Sequence, residues 1–162
     1  MTALHTTYTY DTDVESVFAL IRDPAFRTES CAAQGAVEHD VAVDDDGTSA
    51  TVVIRRLQEA TVPDFVKKFT GHLARVEQTE VWSTPDTDGT RTARLSVDIV
   101  GQPASMRGTV TLRDLPGGGA QFTVEGEVKV AVPFLGRRLE PPIVEAVIES
   151  IDKDVELAQL RL

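Results

Sequence analysis

The last thirty residues, Pro133 to Leu162, read as one long one-sided helix, and they follow six strand-like segments. Ile143, Val147, Ile151, Val155, Ala158 and Leu162 recur at steps of four, four, four, three and four, the spacing of a single helical face. Glu145, Glu149, Asp152, Asp154 and Glu156 fill the remaining positions. Such a helix must lie on an apolar surface, and here only a sheet with one apolar face can supply it. Burying six to eight of its aliphatic side chains contributes roughly 10 to 20 kcal/mol before conformational entropy is subtracted. Pro141-Pro142 interrupts the pattern, because a proline resists a helix interior and disfavours helical backbone before it, so regular helix is expected only from near Pro142.

The rest of the chain supplies that sheet. Leu4 to Tyr10 alternates in the manner of a first strand. Asp11 or Asp13 can cap a helix that places Val14, Val17, Phe18 and Ile21 on one face, and Asp23-Pro24 ends it before a second short helical turn from Ala25 to Ala32. From Ala36 the period becomes two: Val37, Val41 and Val43, then Ala50, Val52 and Ile54 across the turn Asp44-Asp45-Asp46-Gly47. Strands follow at His72 to Ser83, Thr90 to Val100, Ser105 to Asp114 and Gly119 to Ala131. Their short turns make neighbours antiparallel. Leu95, Val97 and Ile99, then Met106, Val110 and Leu112, then Phe122, Val124, Val128 and Val130 mark one buried face. The reading is α+β: strand, helix, helix, then six antiparallel strands curved around a long C-terminal helix.

A chain of 162 residues with 41% hydrophobic and 26% charged residues fits one domain spanning 1–162 with its own core. Its formal charge of −10 repels phosphate backbones and anionic headgroups, which argues against nucleic acid or an acidic membrane as partner. Cys31 is the only cysteine, so no internal disulfide can form. The start MTALHTTYTYDTD lacks the basic and apolar stretches of a signal peptide, and no apolar run reaches bilayer-spanning length, so a cytoplasmic protein without stable membrane insertion is expected. A monomer or weak homodimer is expected.

Four stretches carry a resemblance: DVESVFALIRDPAFRTE in the first helices, VPDFVKKFTG, VEQTEVW, and VPFLGRRLE before the last helix. With the element order, they make the chain resemble the START-like, birch-pollen-allergen-like (SRPBCC) superfamily of helix-grip folds, and within it an actinobacterial family. The resemblance spans nearly the whole chain and implies a cavity between sheet and long helix used for lipids, sterols, polyketides, aromatic compounds or quinones.

The chemistry-bearing residues can be placed on that framework. Val62, Phe65, Val66 and Phe69 recur at helical spacing opposite Lys67 and Lys68, so Val62 to Gly71 is expected to form an amphipathic lid with Phe65 and Phe69 guarding the cavity mouth. Trp82 and Glu80 share one strand face, and a carboxyl in an apolar cavity would have a raised pKa suited to acid–base work. His39 and Arg56 share parity with apolar neighbours and are expected to point inward, where Arg56 could pair a carboxylate ligand. Leu95, Val97, Met106, Val110 and Phe122 would form one wall and Ile143, Val147 and Ile151 the other. His5, His39 and His72 lie far apart, and no HExxH, CxxC or complete calcium-loop spacing occurs, so neither metal nor cofactor is expected. Gly117-Gly118-Gly119 lacks the helix and Lys-Ser/Thr of a phosphate loop, and there is no Gly-x-Ser-x-Gly elbow.

The leading expectation is a non-enzymatic carrier or sensor enclosing a hydrophobic small molecule. The alternatives are a polyketide cyclase or dehydratase using Glu80 or His39, and a protein-interaction module with a closed cavity.

Overall fold

A computed structural model describes residues 1–162. The chain runs β1 (Thr2–Tyr10), α1 (Val14–Ile21), α2 (Pro24–Ala33), β2 (Glu38–Asp45), β3 (Ala50–Glu59), α3 (Asp64–Thr70), β4 (Leu73–Trp82), β5 (Arg91–Ile99), β6 (Ala104–Asp114), β7 (Ala120–Val130) and α4 (Gly136–Arg161). All seven strands form one antiparallel sheet in the order β1-β7-β6-β5-β4-β3-β2. The sheet edges are therefore β1 and β2, and the α1–α2 segment links them. Asp13 caps α1 through Ser16 N at 2.7 Å, and Asp23 caps α2 through Ala25 N at 2.9 Å ahead of Pro24 at the first helical position.

The sheet curls around α4, and two glycines mark a close approach within it. Gly108 and Gly126 are cross-strand partners, and a Cβ on Gly108 would lie 2.1 Å from the Glu125 carbonyl oxygen. Only residues without a Cβ let these backbones come so near. The concave face carries the core: Leu4, Tyr10, Val52, Ile54, Met106, Val110, Leu112, Val124 and Val128 are buried there, closed by Val14, Val17, Phe18 and Ile21 of α1.

Helix α4 begins at Gly136, six residues before the expected start, with both prolines inside it. Glu140 explains how that first turn is held. Its buried carboxylate accepts from Val130 N at 2.9 Å and from the Thr2 hydroxyl at 2.9 Å, and it meets the N-terminal ammonium at 3.2 Å. This anchor ties the helix start to both β7 and β1. Along α4 the buried side chains are Leu139, Ile143, Val155 and Ala158. Val147 and Ile151, midway, are only partly buried, and Leu162, the terminal residue of the expected apolar face, is 45% exposed and lies outside the core.

Candidate functional site

The incomplete burial of Val147 and Ile151 has a cause: two cavities lie between the sheet and the middle of α4. One, of about 90 Å³, sits toward α3 and is lined by 17 residues, 11 of them hydrophobic. Val76, Val97, Ile99 and Met106 supply its sheet wall, Ile143, Ala146 and Val147 its helix wall, and Ala60, Thr61, Val62 and Thr70 its α3 side. The other, of about 70 Å³, sits toward α1 and α2 and is walled by Leu95, Val110, Phe122 and Val124 against Ile151, Val155 and Ala158. Both are smaller than the about 300 to 1,000 Å³ of ordinary ligand pockets.

Helix α3 interrupts the β3–β4 hairpin, whose strands pair up to Glu59 and Leu73 and close with Ala60 N to His72 O at 2.9 Å. It has seven residues, no side-chain cap, and ends at Gly71 with φ 85° and ψ 166°, a conformation reserved for glycine. Val66 and Thr70 anchor it.

Between the cavities runs a buried polar network. Arg27 of α2 donates to Glu80 of β4 through both terminal nitrogens, at 3.1 and 2.5 Å, and also to Ile21 O. Glu80 further accepts from Gln78 Nε2 at 2.7 Å and from Trp82 Nε1 at 2.9 Å. Burial pushes the Glu80 carboxyl up, but the charge and hydrogen bonds of Arg27, with those of Trp82 and Gln78, outweigh it and hold the group below the usual carboxylate range. Arg56 reaches Gln78 Oε1 at 3.5 Å and Ser150 Oγ at 3.4 Å, both at the outer limit of a hydrogen bond. Ser150 donates to Gln34 Oε1 at 2.5 Å, Gln34 to Asp154 at 2.5 Å, and Ser30 also donates to Asp154.

Of the residues expected at the site, Arg56, Val97, Met106, Ile143 and Val147 line the α3-side cavity, and Glu80, Leu95, Val110, Phe122 and Ile151 line the other. Four lie elsewhere. His39 has the inward parity, facing Arg56 across the β2–β3 ladder, but it lies near the start of the edge strand β2 and is exposed. Trp82 is 2% exposed and packs edge-on against Phe18, with ring centroids 5.5 Å apart, at the α1 corner of the core. Phe65 and Phe69 sit one residue out of phase with the face α3 turns inward, which carries Val66 and Thr70. Phe65 is 46% exposed and Phe69 is partly buried against the core, but neither lines the cavity, which Val62 and Thr70 border on this side. The raised pKa expected for Glu80 is reversed by Arg27, a partner on another element.

Arg27, Gln34, Gln58, Ser150 and Asp154 were not singled out by sequence. The signal that could have found the helical ones is polar residues at helical spacing on an otherwise inward face: Arg27 and Ser30 on α2 with Gln34 at its C-cap, and Ser150 and Asp154 beside Val147 and Ile151 on α4; Gln58 shares the inward parity of Arg56 on β3. No three His, Cys, Asp or Glu side chains cluster as a metal site, and no helix is long and apolar enough to cross a membrane.

A family model described as "Protein of unknown function (DUF2505)" matches residues 5–162. Uncharacterised proteins of Mycobacterium tuberculosis and Mycobacterium bovis are 31% identical over 97 residues, 59% of this chain and 55% of theirs, so the match spans about half the length of those relatives. Among solved structures, a Thermus thermophilus protein, TTHA0849, superposes with a TM-score of 0.63 at 15% identity over 98% of this chain and 95% of its own. Human STARD10 gives 0.62 at 8% identity over 96% and 62% of the two chains. Human StAR-related lipid transfer protein 5 gives 0.58 at 10% identity over 96% and 72%. The fold is the START-like helix-grip fold.

Proposed function

The chain belongs to the family described as Protein of unknown function (DUF2505), and we propose that it binds a hydrophobic small molecule in the chamber between its sheet and α4. The observation that carries this reading is the mid-length gap under α4. Leu139, Ile143, Val155 and Ala158 toward its two ends are buried, while Val147 and Ile151 between them are only partly buried and border cavities with mostly aliphatic walls. A helix with good packing at both ends and space beneath its centre is suited to enclosing a guest, whose burial would supply most of the affinity. The human StAR-related lipid transfer protein 5, by its name a carrier of lipids, shares the fold and is consistent with this use.

The α3-side cavity of about 90 Å³ is far below an ordinary ligand pocket, so a guest of ordinary ligand size requires α3 to swing outward. The short hairpin insertion, the missing cap and the glycine at Gly71 equip α3 for that movement. The reading of the molecule as a proton-transfer enzyme loses its two named candidates, because Glu80 is held as a carboxylate by Arg27 and His39 faces solvent.

Native mass spectrometry after gentle purification, paired with thermal shifts for medium-chain fatty acids, quinones and polyketides, tests the proposal. A bound small mass or a saturable rise in melting temperature is expected. Neither a retained mass nor a shift with any of these compounds would contradict it.

A further inference from the structure

Throughout the chain, only two buried side-chain polar atoms lack a hydrogen-bond partner: Arg56 Nε and Gln58 Oε1. Both belong to residues lining the α3-side cavity. They are two apart on β3 and so project from the same face, about 7 Å apart along the strand. One is a donor awaiting an acceptor and the other an acceptor awaiting a donor.

Arg56 differs from the other buried arginines. Arg27 holds Glu80 at 2.5 Å and Arg91 holds Glu15 at 2.8 Å, each through two nitrogens. Arg56 is 6% exposed yet has no carboxylate in contact, only the long approaches to Gln78 and Ser150. Three charged groups face it: Arg27 from α2, Glu80 from β4 and Asp154 from α4. Glu80 is taken up by Arg27, and Asp154 accepts from Ser30 and Gln34. A guanidinium stays charged when buried and costs stability unless an anion meets it. Burial accordingly pushes the Arg56 pKa down, the opposite of the rise at paired Arg27.

We infer that the α3-side cavity takes an apolar monocarboxylic acid whose carboxylate seats against Arg56, with a hydroxyl near that carboxylate donating to Gln58 Oε1. The inference rests on the ligand chamber proposed above and narrows its occupant. A carboxylate matches the two-pronged geometry of the guanidinium and brings one negative charge for one unpaired positive charge. A phosphate would bring a second charge with no second free cation to meet it. Val76, Val97, Met106, Ile143 and Val147 offer a mostly apolar surface for the remainder of the molecule, and the other polar residues lining the cavity, Thr61, Thr70, Ser105 and Ser150, carry no charge.

The test follows displacement of the neutral fluorophore N-phenyl-1-naphthylamine by decanoate, 3-hydroxydecanoate and 1-decanol, using wild type, Arg56→Met, Arg56→Lys and Gln58→Leu. Loss of a charge-assisted hydrogen-bonded pair should raise the decanoate concentration needed about tenfold or more in Arg56→Met, with 1-decanol changed less than about threefold. Arg56→Lys, which keeps the charge without the fork, should fall between. 3-Hydroxydecanoate should outcompete decanoate on wild type and lose that advantage in Gln58→Leu. Arg56→Met should also melt no lower than wild type, because an unpaired buried charge is gone. Fluorophore displacement by decanoate and decanol alike in all four proteins would overturn the inference and leave the chamber standing. A fluorophore that never binds would remove both, and an Arg56→Met protein melting far below wild type would assign Arg56 to the fold and overturn the inference.

Discussion

Glu80 is a residue whose role is set by its partner. Its position on β4 and its inward parity are legible in the sequence, and an inward carboxyl among apolar neighbours reads as one with a raised pKa. What the sequence does not display is Arg27, fifty-three positions earlier, arriving from α2 with two hydrogen bonds. Both side chains are almost fully buried, so removing one charge strands the other. Glu80→Gln should therefore cost about 3 to 5 kcal/mol in urea denaturation. The pH dependence follows from the depressed carboxyl. An unfolded Glu titrates near about 4.3, so the stabilisation is fully present above that value and is lost as pH falls through the lower folded pKa. Melting temperature should fall on acidification below about pH 4 in wild type, and this dependence should be shallower in Glu80→Gln. A wild-type curve flat through that range would contradict the pairing.

At the scale of elements, the strands and α1 follow their periodicity closely, because a period of two or 3.6 with one buried face admits little alternative. Two elements escape it for physical reasons. The start of α4 is moved N-terminal of the prolines by Glu140, whose carboxylate gathers Val130 N, the Thr2 hydroxyl and the chain's own ammonium, contacts that exist only once β1 and β7 are paired. On α3 the spacing of Phe65 and Phe69 is helical, yet so is that of Val66 and Thr70, and a rotation of one residue decides which pair faces in. Val66 and Thr70 are the buried pair, which turns Phe65 to solvent and leaves Phe69 partly buried against the core. The apolar face of α4 remains the main attachment of sheet to helix. Ile151→Asp, which puts a carboxylate into the cavity beside Glu80 and Asp154, should cost about 3 kcal/mol or more and sharply reduce soluble yield. Glu149→Ala removes only the Lys153 pair at 3.4 Å on the exposed side and should cost less than about 0.5 kcal/mol. Equal yields and equal denaturation midpoints for the two would contradict this orientation of the helix.

At the scale of the whole molecule, the curled sheet and α4 form a grip whose ends are closed and whose middle is not. The sequence conveys the grip, since it resides in alternation and helical spacing. Ten of the fourteen residues singled out border one cavity or the other, because they lie at inward parity on the sheet or on the apolar face of α4. The division of that space into two cavities by side chains from α2, β3, β4 and α4 is a tertiary property, invisible to local pattern. The central claim is that the gap beneath Ala146 and Val147 receives an apolar guest. Titrating N-phenyl-1-naphthylamine into wild type and into Ala146→Phe, with circular dichroism confirming that both are folded, tests it most directly. Saturable binding at one site in wild type, abolished when the phenyl ring fills the cavity, is the predicted result; binding unaffected by the filling substitution, or absent from wild type, would contradict it.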